Sequence, residues 1–276
     1  MDGQIRLMPS LFGLRDVCFN YEGVPALRSL SLEIAQGERV ALLGANGSGK
    51  STLLRLLDGL YAPQQGSIQF DGTPLTPERL ANDNFAFAFR RRVALVFQNP
   101  DVQLFNPTVF DEVAFAPLQM QWSKDEVRSR VAAAMELMHI SHLYDRPPYR
   151  LSGGEKKRVA LASVIVLKPD VLLLDEPTAT LDPRSQSQLI DLIQTWKGST
   201  KTVICATHQL EIVEDIADRV VVMEEGRVAG EGAAAEILRN NELLLRANLV
   251  HAHRHTHDGV THSHPHIHSH SEHHQH

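Results

Sequence analysis

The chain has 276 residues, 43% of them apolar, with 27 Lys and Arg against 33 Asp and Glu. That length and apolar share suit one large domain with a small insertion or a tail, and they exclude wholesale disorder. A formal charge of −6 leaves no basic footprint for general nucleic-acid binding, and Cys18 and Cys205 are too few for a disulfide framework.

The opening residues, MDGQIRLMPS, lack a basic stretch followed by an apolar one, so no signal peptide is expected. No apolar run approaches the ~20 residues of a membrane-spanning helix. The chain therefore reads as cytoplasmic, reaching a membrane only through a partner. In chain order, Leu14–Tyr21 and Ser29–Ile34 alternate apolar and polar residues, which predicts half-buried strands. Val40–Leu43 predicts a strand running into a Gly-rich loop, and Ser51–Leu60 a helix. Ser67–Phe70 ends at the turn signal Asp71-Gly72. Val93–Phe97 is a further strand, followed by helices over Val109–Ala116 and Lys124–His139. Ser152–Leu167 reads as a helix closed by Pro169. Val171–Leu174 is wholly apolar, the mark of a strand buried on both faces of a parallel sheet. Ser185–Trp196 reads as a helix, Thr202–Ala206 as a strand, Leu210–Ile216 as a helix, and Val220–Glu224 with Arg227–Ala229 as a closing hairpin. The fold class is α/β.

The composition breaks near Val250, because 12 of the 15 histidines lie between His251 and His276. This low-complexity tail has few large apolar residues to offset its ordering entropy, so it is expected to be disordered without a ligand.

Four predicted strands end in chemically capable residues. Val40–Leu43 leads to Lys50, Val93–Phe97 to Gln98, Val171–Leu174 to Asp175 and Glu176, and Thr202–Ala206 to His208. Ligands of open parallel sheets bind outside the carboxyl ends of the strands, so these four ends point to one site. Gly44-Ala45-Asn46-Gly47-Ser48-Gly49-Lys50-Ser51 fits the pattern Gly, four residues, Gly-Lys-Ser/Thr between a strand and a helix. Its glycines let backbone N–H groups curl around phosphate, Lys50 supplies a point charge, and the Ser51 hydroxyl suits Mg²⁺. A carboxylate at Asp175 suits Mg²⁺ through water, and Glu176 can polarise an attacking water. Leu151-Ser152-Gly153-Gly154-Glu155 opens a helix with a capping box of Ser152 and Glu155. Its paired glycines also suit close approach of an anion to bare N–H groups. Either the chain binds two anions, or this second loop closes on the nucleotide of another copy.

The order of phosphate loop, Gln98, LSGGE, LLLDEP and Ala206-Thr207-His208 resembles the ATPase of an ATP-binding cassette transporter over about residues 12–240. The resemblance implies a P-loop NTPase (RecA-like) core with an antiparallel β subdomain and an inserted α-helical subdomain. The cassette would span 12–245, the helical subdomain about 100–165, and the flexible His-rich tail 251–276. It also implies ATP sandwiched head-to-tail between the phosphate loop of one copy, including Gly44, Asn46, Gly47, Ser48, Gly49, Lys50, Ser51 and Thr52, and Ser152, Gly153 and Gly154 of the other. By position Tyr21 matches the residue that stacks on adenine, with a core tyrosine as the alternative. Gln98 matches a sensor of Mg²⁺ and water, Asp182 an acidic loop at the dimer interface, and His208 a γ-phosphate contact. Glu176 matches the general base, acting with Lys50, His208 and Gln98, and Ser51, Gln98 and Asp175 match the Mg²⁺ ligands. Glu155 stands where Gln is usual, and Ala179-Thr180 replaces a commoner pair.

The stretch Phe97 to Phe105, with Thr108-Val109 and Glu112 to Phe115, is similar to the ATPases of energy-coupling-factor importers, which take up vitamins, cobalt and nickel. Gln103 matches a second glutamine of that subgroup. The resemblance implies a homodimer, or a pair with a related ATPase, bound to integral membrane coupling and substrate-binding subunits at the cytoplasmic face, with no nucleic acid. Phe105 is then a partner contact or a core residue. In the tail, His251, His253, His255 and His257 alternate, as do His262, His264, His266, His268 and His270, followed by His273, His274 and His276. Imidazoles suit Ni²⁺ and Co²⁺. The interruptions by Thr, Ser, Arg, Asp, Pro and Ile favour a native metal-binding tail over an expression tag. The expected cofactors are ATP and Mg²⁺, with Ni²⁺ or Co²⁺ on the tail. A vitamin importer, a nickel-metallochaperone GTPase and a DNA-repair or translation ATPase are the rivals. The GTPase needs an Asn-Lys-x-Asp-type base reader, and the soluble ATPase needs long coiled coils or a second cassette; the sequence has none of these.

Overall fold

The computed structural model describes residues 10–257 and 260–266, with side chains placed over 10–250. β1 (Ser10–Tyr21) and β2 (Val24–Ala35) form an antiparallel pair. With β4 (Gln65–Phe70) and β5 (Thr73–Pro74) they make a four-stranded sheet in the order β2-β1-β4-β5. β3 (Arg39–Leu43), β6 (Val93–Val96), β7 (Val171–Asp175), β8 (Thr202–Thr207), β9 (Arg219–Glu224) and β10 (Arg227–Ala233) form a second sheet, ordered β10-β9-β3-β8-β7-β6. Its strands run parallel except for the β9–β10 hairpin.

Every residue of β3, β6, β7 and β8 is buried. Side chains alternate between the faces of a strand, so each of these strands serves two cores. Leu42, Leu173 and Ile204 pack with the antiparallel sheet and with Leu53 and Leu56 of α1 (Lys50–Leu57), which is followed in the chain by α2 (Pro77–Leu80) and α3 (Asp83–Arg92). Leu43, Leu174 and Cys205 pack on the opposite side with Val113, Val131 and Val159, which come from α4 (Val109–Gln119), α5 (Lys124–Leu137) and α6 (Gly153–Ile165).

Local chemistry sets the helix starts. Thr108, Ser123, Ser152 and Asp182 each accept a backbone N–H at an N-terminus, and Asp182 opens α7 (Pro183–Thr195). At the rim of the parallel sheet, Arg39 is 1% exposed. Its guanidinium forks onto Asp218 at 2.7 and 3.0 Å and reaches the Asp215 carbonyl at 3.2 Å.

Three features differ from the sequence expectations. A helix over Asp83–Arg92 was not foreseen, nor were two short helices, Ala234–Arg239 and Asn241–Arg246, that carry the chain from β10 to the tail. The tail, expected to be disordered, pairs β11 (His251–His257) with β12 (Val260–His266) as an antiparallel hairpin. The pairing is a backbone ladder whose register runs from His251 opposite His266 to His257 opposite Val260. His268, His270, His273, His274 and His276 lie outside the described residues.

Candidate nucleotide site

The loop between β3 and α1 is the floor of the site. Gly49 has a φ of 105°, and a Cβ there would lie 2.7 Å from the Ala26 carbonyl oxygen, so only glycine lets β2 approach this closely. The loop closes on itself through Ser48 N–H to the Ala45 carbonyl at 3.1 Å. Lys50 is 6% exposed, and its Nζ donates to the Gly44 carbonyl at 2.6 Å and the Ala45 carbonyl at 3.1 Å. Burial lowers the Lys50 pKa, while Glu176 and Asp175 oppose that shift.

Above the loop lies a cleft of about 460 Å³ lined by Tyr21, Val24, Pro25, Ala26, Asn46, Gly47, Ser48, Gly49, Lys50, Ser51, Thr52, Gln98 and Glu176. Tyr21 is 37% exposed, which rules out the core alternative. Its hydroxyl meets Thr52 Oγ1 and Arg55 Nη1, each at 3.3 Å, and Phe19 and Tyr61 pack its ring at 5.0 and 5.8 Å between centroids. A half-exposed aromatic ring at Tyr21 and a glycine-rich loop at a helix start line the same cleft, a lining that suits a flat base joined to phosphates.

At the far wall the Ser51 hydroxyl donates to Asp175 Oδ1 at 2.9 Å. Ser51, Asp175 and the Gln98 amide offer hard oxygen donors, the kind Mg²⁺ takes alongside phosphate. Glu176 is 5% exposed and has a φ of 45°, a conformation costly for a side-chain-bearing residue and common at functional sites. Its Oε1 lies 2.9 Å from His208 Nδ1. Its Oε2 is buried with no hydrogen-bond partner. An unpaired carboxylate oxygen at a cleft wall is placed to take a proton from a water brought there.

Ser152, Gly153, Gly154 and Asp182 are gathered elsewhere, and none of them lines this cleft. Ser152 caps α6, and Glu155 Oε2 accepts from both the Ser152 N–H and its hydroxyl at 2.8 Å. Those bonds hold the Glu155 carboxyl below its ordinary pKa. Arg158 binds Ser185 Oγ at 2.7 Å and Asp182 Oδ2 at 3.6 Å, which ties α6 to the start of α7. The start of α6 and Asp182 thus form a second cluster, apart from the cleft above the phosphate loop.

The family profile described as "ABC transporter" matches residues 27–179. The chain is an ATP-binding cassette transporter ATPase. The cassette is 56% identical to the nickel import ATP-binding protein NikO of Rhodobacter capsulatus over 246 residues, covering 88% of this chain and 97% of that protein. It is 41% identical to the energy-coupling factor transporter ATP-binding protein EcfA of Methanothermobacter thermautotrophicus, covering 86% and 75%. Among solved structures, it matches cbiO1 of Clostridium perfringens, part of the ABC transporter complex cbiONQ, with a TM-score of 0.71 and 39% identity over 87% of this chain and 95% of that one. The dimeric cassette MJ0796 bound to ADP and Pi matches with a TM-score of 0.74 and 26% identity, over 81% and 99%. These relatives place the cassette among the energy-coupling type.

Phe105 lies on the surface, 67% exposed, with its ring edge-on to Phe115 at 4.9 Å. That exposure excludes the core alternative for Phe105, and Val102 and Leu118 nearby in the chain are also exposed. Glu112, 3% exposed, fixes this turn by accepting from the N–H groups of Phe105 and Asn106 at 2.9 and 2.8 Å. Sequence reasoning missed Lys157. It is fully buried, and its Nζ reaches the carbonyls of Phe97 at 2.8 Å, Gln98 at 3.1 Å and Asp175 at 3.5 Å. Burial pushes its ammonium down to about 8. A lysine in a Lys-Lys-Arg run reads as a solvated face, and no local signal marks it otherwise. No described helix is long and apolar enough to cross a membrane.

Proposed function

We propose that this chain is the ATP-hydrolysing subunit of an importer for nickel or cobalt ions, acting as a head-to-tail dimer on the cytoplasmic face of the membrane. The observation that carries the dimer is the division of the site. The phosphate cleft holds Glu176, while the anion-ready start of α6 lies outside that cleft beside Asp182. Two copies in opposite orientation would complete two sites.

In this reading the cassette spans about 12–245, with helices of the 100–165 segment as its second lobe and 251–276 as its tail. Tyr21 stacks on adenine, and the N–H groups of Gly44 to Thr52 cradle the phosphates. Ser51, Gln98 and Asp175 hold Mg²⁺, which when bound neutralises charge developing on the phosphoryl oxygens. Lys50 adds a fixed positive charge on the same oxygens. Glu176 takes the proton of the attacking water, and His208, bonded to Glu176 Oε1, orients that carboxylate and meets the γ-phosphate. Ser152 to Gly154 and Asp182 of the other copy cover the nucleotide and exclude solvent. The apolar patch around Phe105 receives a membrane subunit.

Similarity to a nickel import protein supports the metal cargo, and the His-rich tail supports it independently. The backbone register sets His251 opposite His266, His253 opposite His264 and His255 opposite His262. Similarity to EcfA favours a second reading, an energy-coupling importer of another substrate, with the tail serving metal storage. Membrane vesicles holding the subunit and its co-purified membrane partners decide between them. ATP-dependent uptake of radioactive nickel or cobalt is the expected result, abolished when Glu176→Gln replaces the wild type. ATP-dependent uptake of a vitamin with no metal uptake would overturn the metal assignment.

The tail gives a separate prediction. Imidazole must be neutral to bind metal, and its reference pKa is about 6.5. Nickel binding to the intact chain should weaken as pH falls from about 7.5 to about 5.5, with protons released on binding. Ending the chain after Val250 should remove most of the bound nickel in calorimetric titration and leave basal ATPase activity unchanged. Equal nickel stoichiometry with and without the tail would show that the histidines are not the site.

A further inference from the structure

α6 joins the two half-sites of one chain. Its first residue follows Ser152, which meets the neighbour's nucleotide in the head-to-tail dimer. Five residues after Ser152, about 7.5 Å along the helix axis, Lys157 grips the loop that carries Gln98. The grip is repeated along the helix. Lys156 Nζ pairs with Asp101 at 2.7 Å. The Gln103 amide donates to the Ala160 carbonyl at 2.9 Å and to Ser163 Oγ at 3.1 Å, and its oxygen accepts from Phe97 N–H at 3.3 Å. The loop from Phe97 to Gln103 is therefore fastened to α6 over two turns.

Lys157 is the unusual member. An ammonium has three N–H donors and no acceptor, and here three carbonyl oxygens converge on it from Phe97, Gln98 and Asp175. Those carbonyls belong to the loop of Gln98 and to the end of β7, where Asp175 and Glu176 stand. Burying a charge is costly, and a methionine or leucine of similar volume would fill the space without that cost. What a neutral side chain cannot do is hold Gln98 and the end of β7 at one point of α6. Outer-shell groups that orient metal ligands contribute to metal affinity in this way.

We propose that Lys157 is a positioning residue that couples the two ATP sites of the dimer. It transmits the seating of Ser152 on the neighbour's nucleotide, through α6, to Gln98 in its own chain. The coupling rests on the head-to-tail reading above. A move of α6 when Ser152 engages is passed to the main chain of Gln98, so each site becomes fully competent when the other is filled.

The test uses the full chain with Lys157→Met, which keeps length and volume but removes the charge, and Lys157→Arg, which restores it. Two quantities are read. One is the Hill coefficient of ATPase rate against ATP, expected to fall from about two in the wild type to about one in Lys157→Met. The other is binding of Mn²⁺ with ATP, measured by calorimetry in a Glu176→Gln background where no hydrolysis occurs. It should weaken about tenfold in Lys157→Met, while ATP binding without metal stays within about twofold. Lys157→Arg should recover both. If Lys157→Met does not fold, Lys157→Gln, which still reaches one carbonyl, gives the same comparison. A Hill coefficient and Mn²⁺ affinity unchanged in the neutral variants overturn the proposal, as does a wild-type Hill coefficient of about one. Failure of the Glu176→Gln chain to dimerise with ATP is a different result, because it removes the head-to-tail dimer itself.

Discussion

Replacing Glu176 by Gln should lower ATP turnover by about 10²- to 10⁴-fold, the contribution of a well-placed general base. The substitution is nearly isosteric. Glu176 Oε1 faces His208 and Oε2 is unpaired, so the amide can keep the first contact while the second position loses its ability to take a proton. Nothing in the phosphate loop changes, and ATP affinity should stay within a few-fold. ATP that is bound and not hydrolysed stabilises whatever state binds it, by about 2.7 kcal/mol at a hundredfold excess over Kd. A dimer that appears with ATP and not with ADP should therefore accumulate on size-exclusion chromatography. Wild-type turnover in this variant would remove Glu176 from the chemistry.

The largest effect on stability is expected far from the nucleotide. Asp218→Ala leaves the Arg39 guanidinium, 2% exposed at its side chain, with a single carbonyl partner, that of Asp215. Stranding a buried charge costs on the order of 3 kcal/mol, which in a chain of this size lowers Tm by roughly 10 °C. Arg39→Met should cost less, because the Asp218 side chain it leaves behind is 48% exposed and stays hydrated. The pair also gives an acid signature. Hydrogen bonding from Arg39, against some desolvation, holds the Asp218 carboxyl below its ordinary value of 3.8. Its folded-state pKa is depressed, so its stabilisation is present above that value and is lost as pH falls through the lower folded one. The gap in Tm between the wild type and Asp218→Ala should be constant at neutral pH and begin to narrow as pH falls below 3.8. Equal Tm at neutral pH would show that solvent reaches Arg39.

The strands that carry the site were readable because each is a short, fully apolar run ending abruptly in polar residues. Val171–Leu174 followed by Asp175 and Glu176 is the clearest case. The phosphate loop and the capping box at Ser152 were readable because local chemistry dictates both. The helix at Asp83–Arg92 was not. Phe85, Phe87 and Phe89 fall at a spacing of two, which argues against a helix, and the buried pair is in fact Ala86 and Phe89, three apart. Arg39 and Asp218, 179 positions apart, have no signature in either local segment. Lys157 was hidden for the same reason, since only the fold brings three carbonyls to it. The hairpin at His251–His266 was hidden because histidine there alternates with small or polar residues and marks no buried face.

The strands shared between two cores have a consequence for motion. Residues of β3, β7 and β8 point alternately into one packed layer and the other, so neither layer can loosen and let a strand go while the other stays intact. The sheet is in effect a party wall, and its lock is mutual. Lys50, Asp175 and Glu176 stand at the ends of that wall and inherit its rigidity. Displacement driven by ATP is then expected in what is hung from the wall on loops: the segment from Phe97 to Gln103, the helix α6 that it clasps, and the turn that carries Asp182. The engine block is fixed, and the stroke belongs to the linkage.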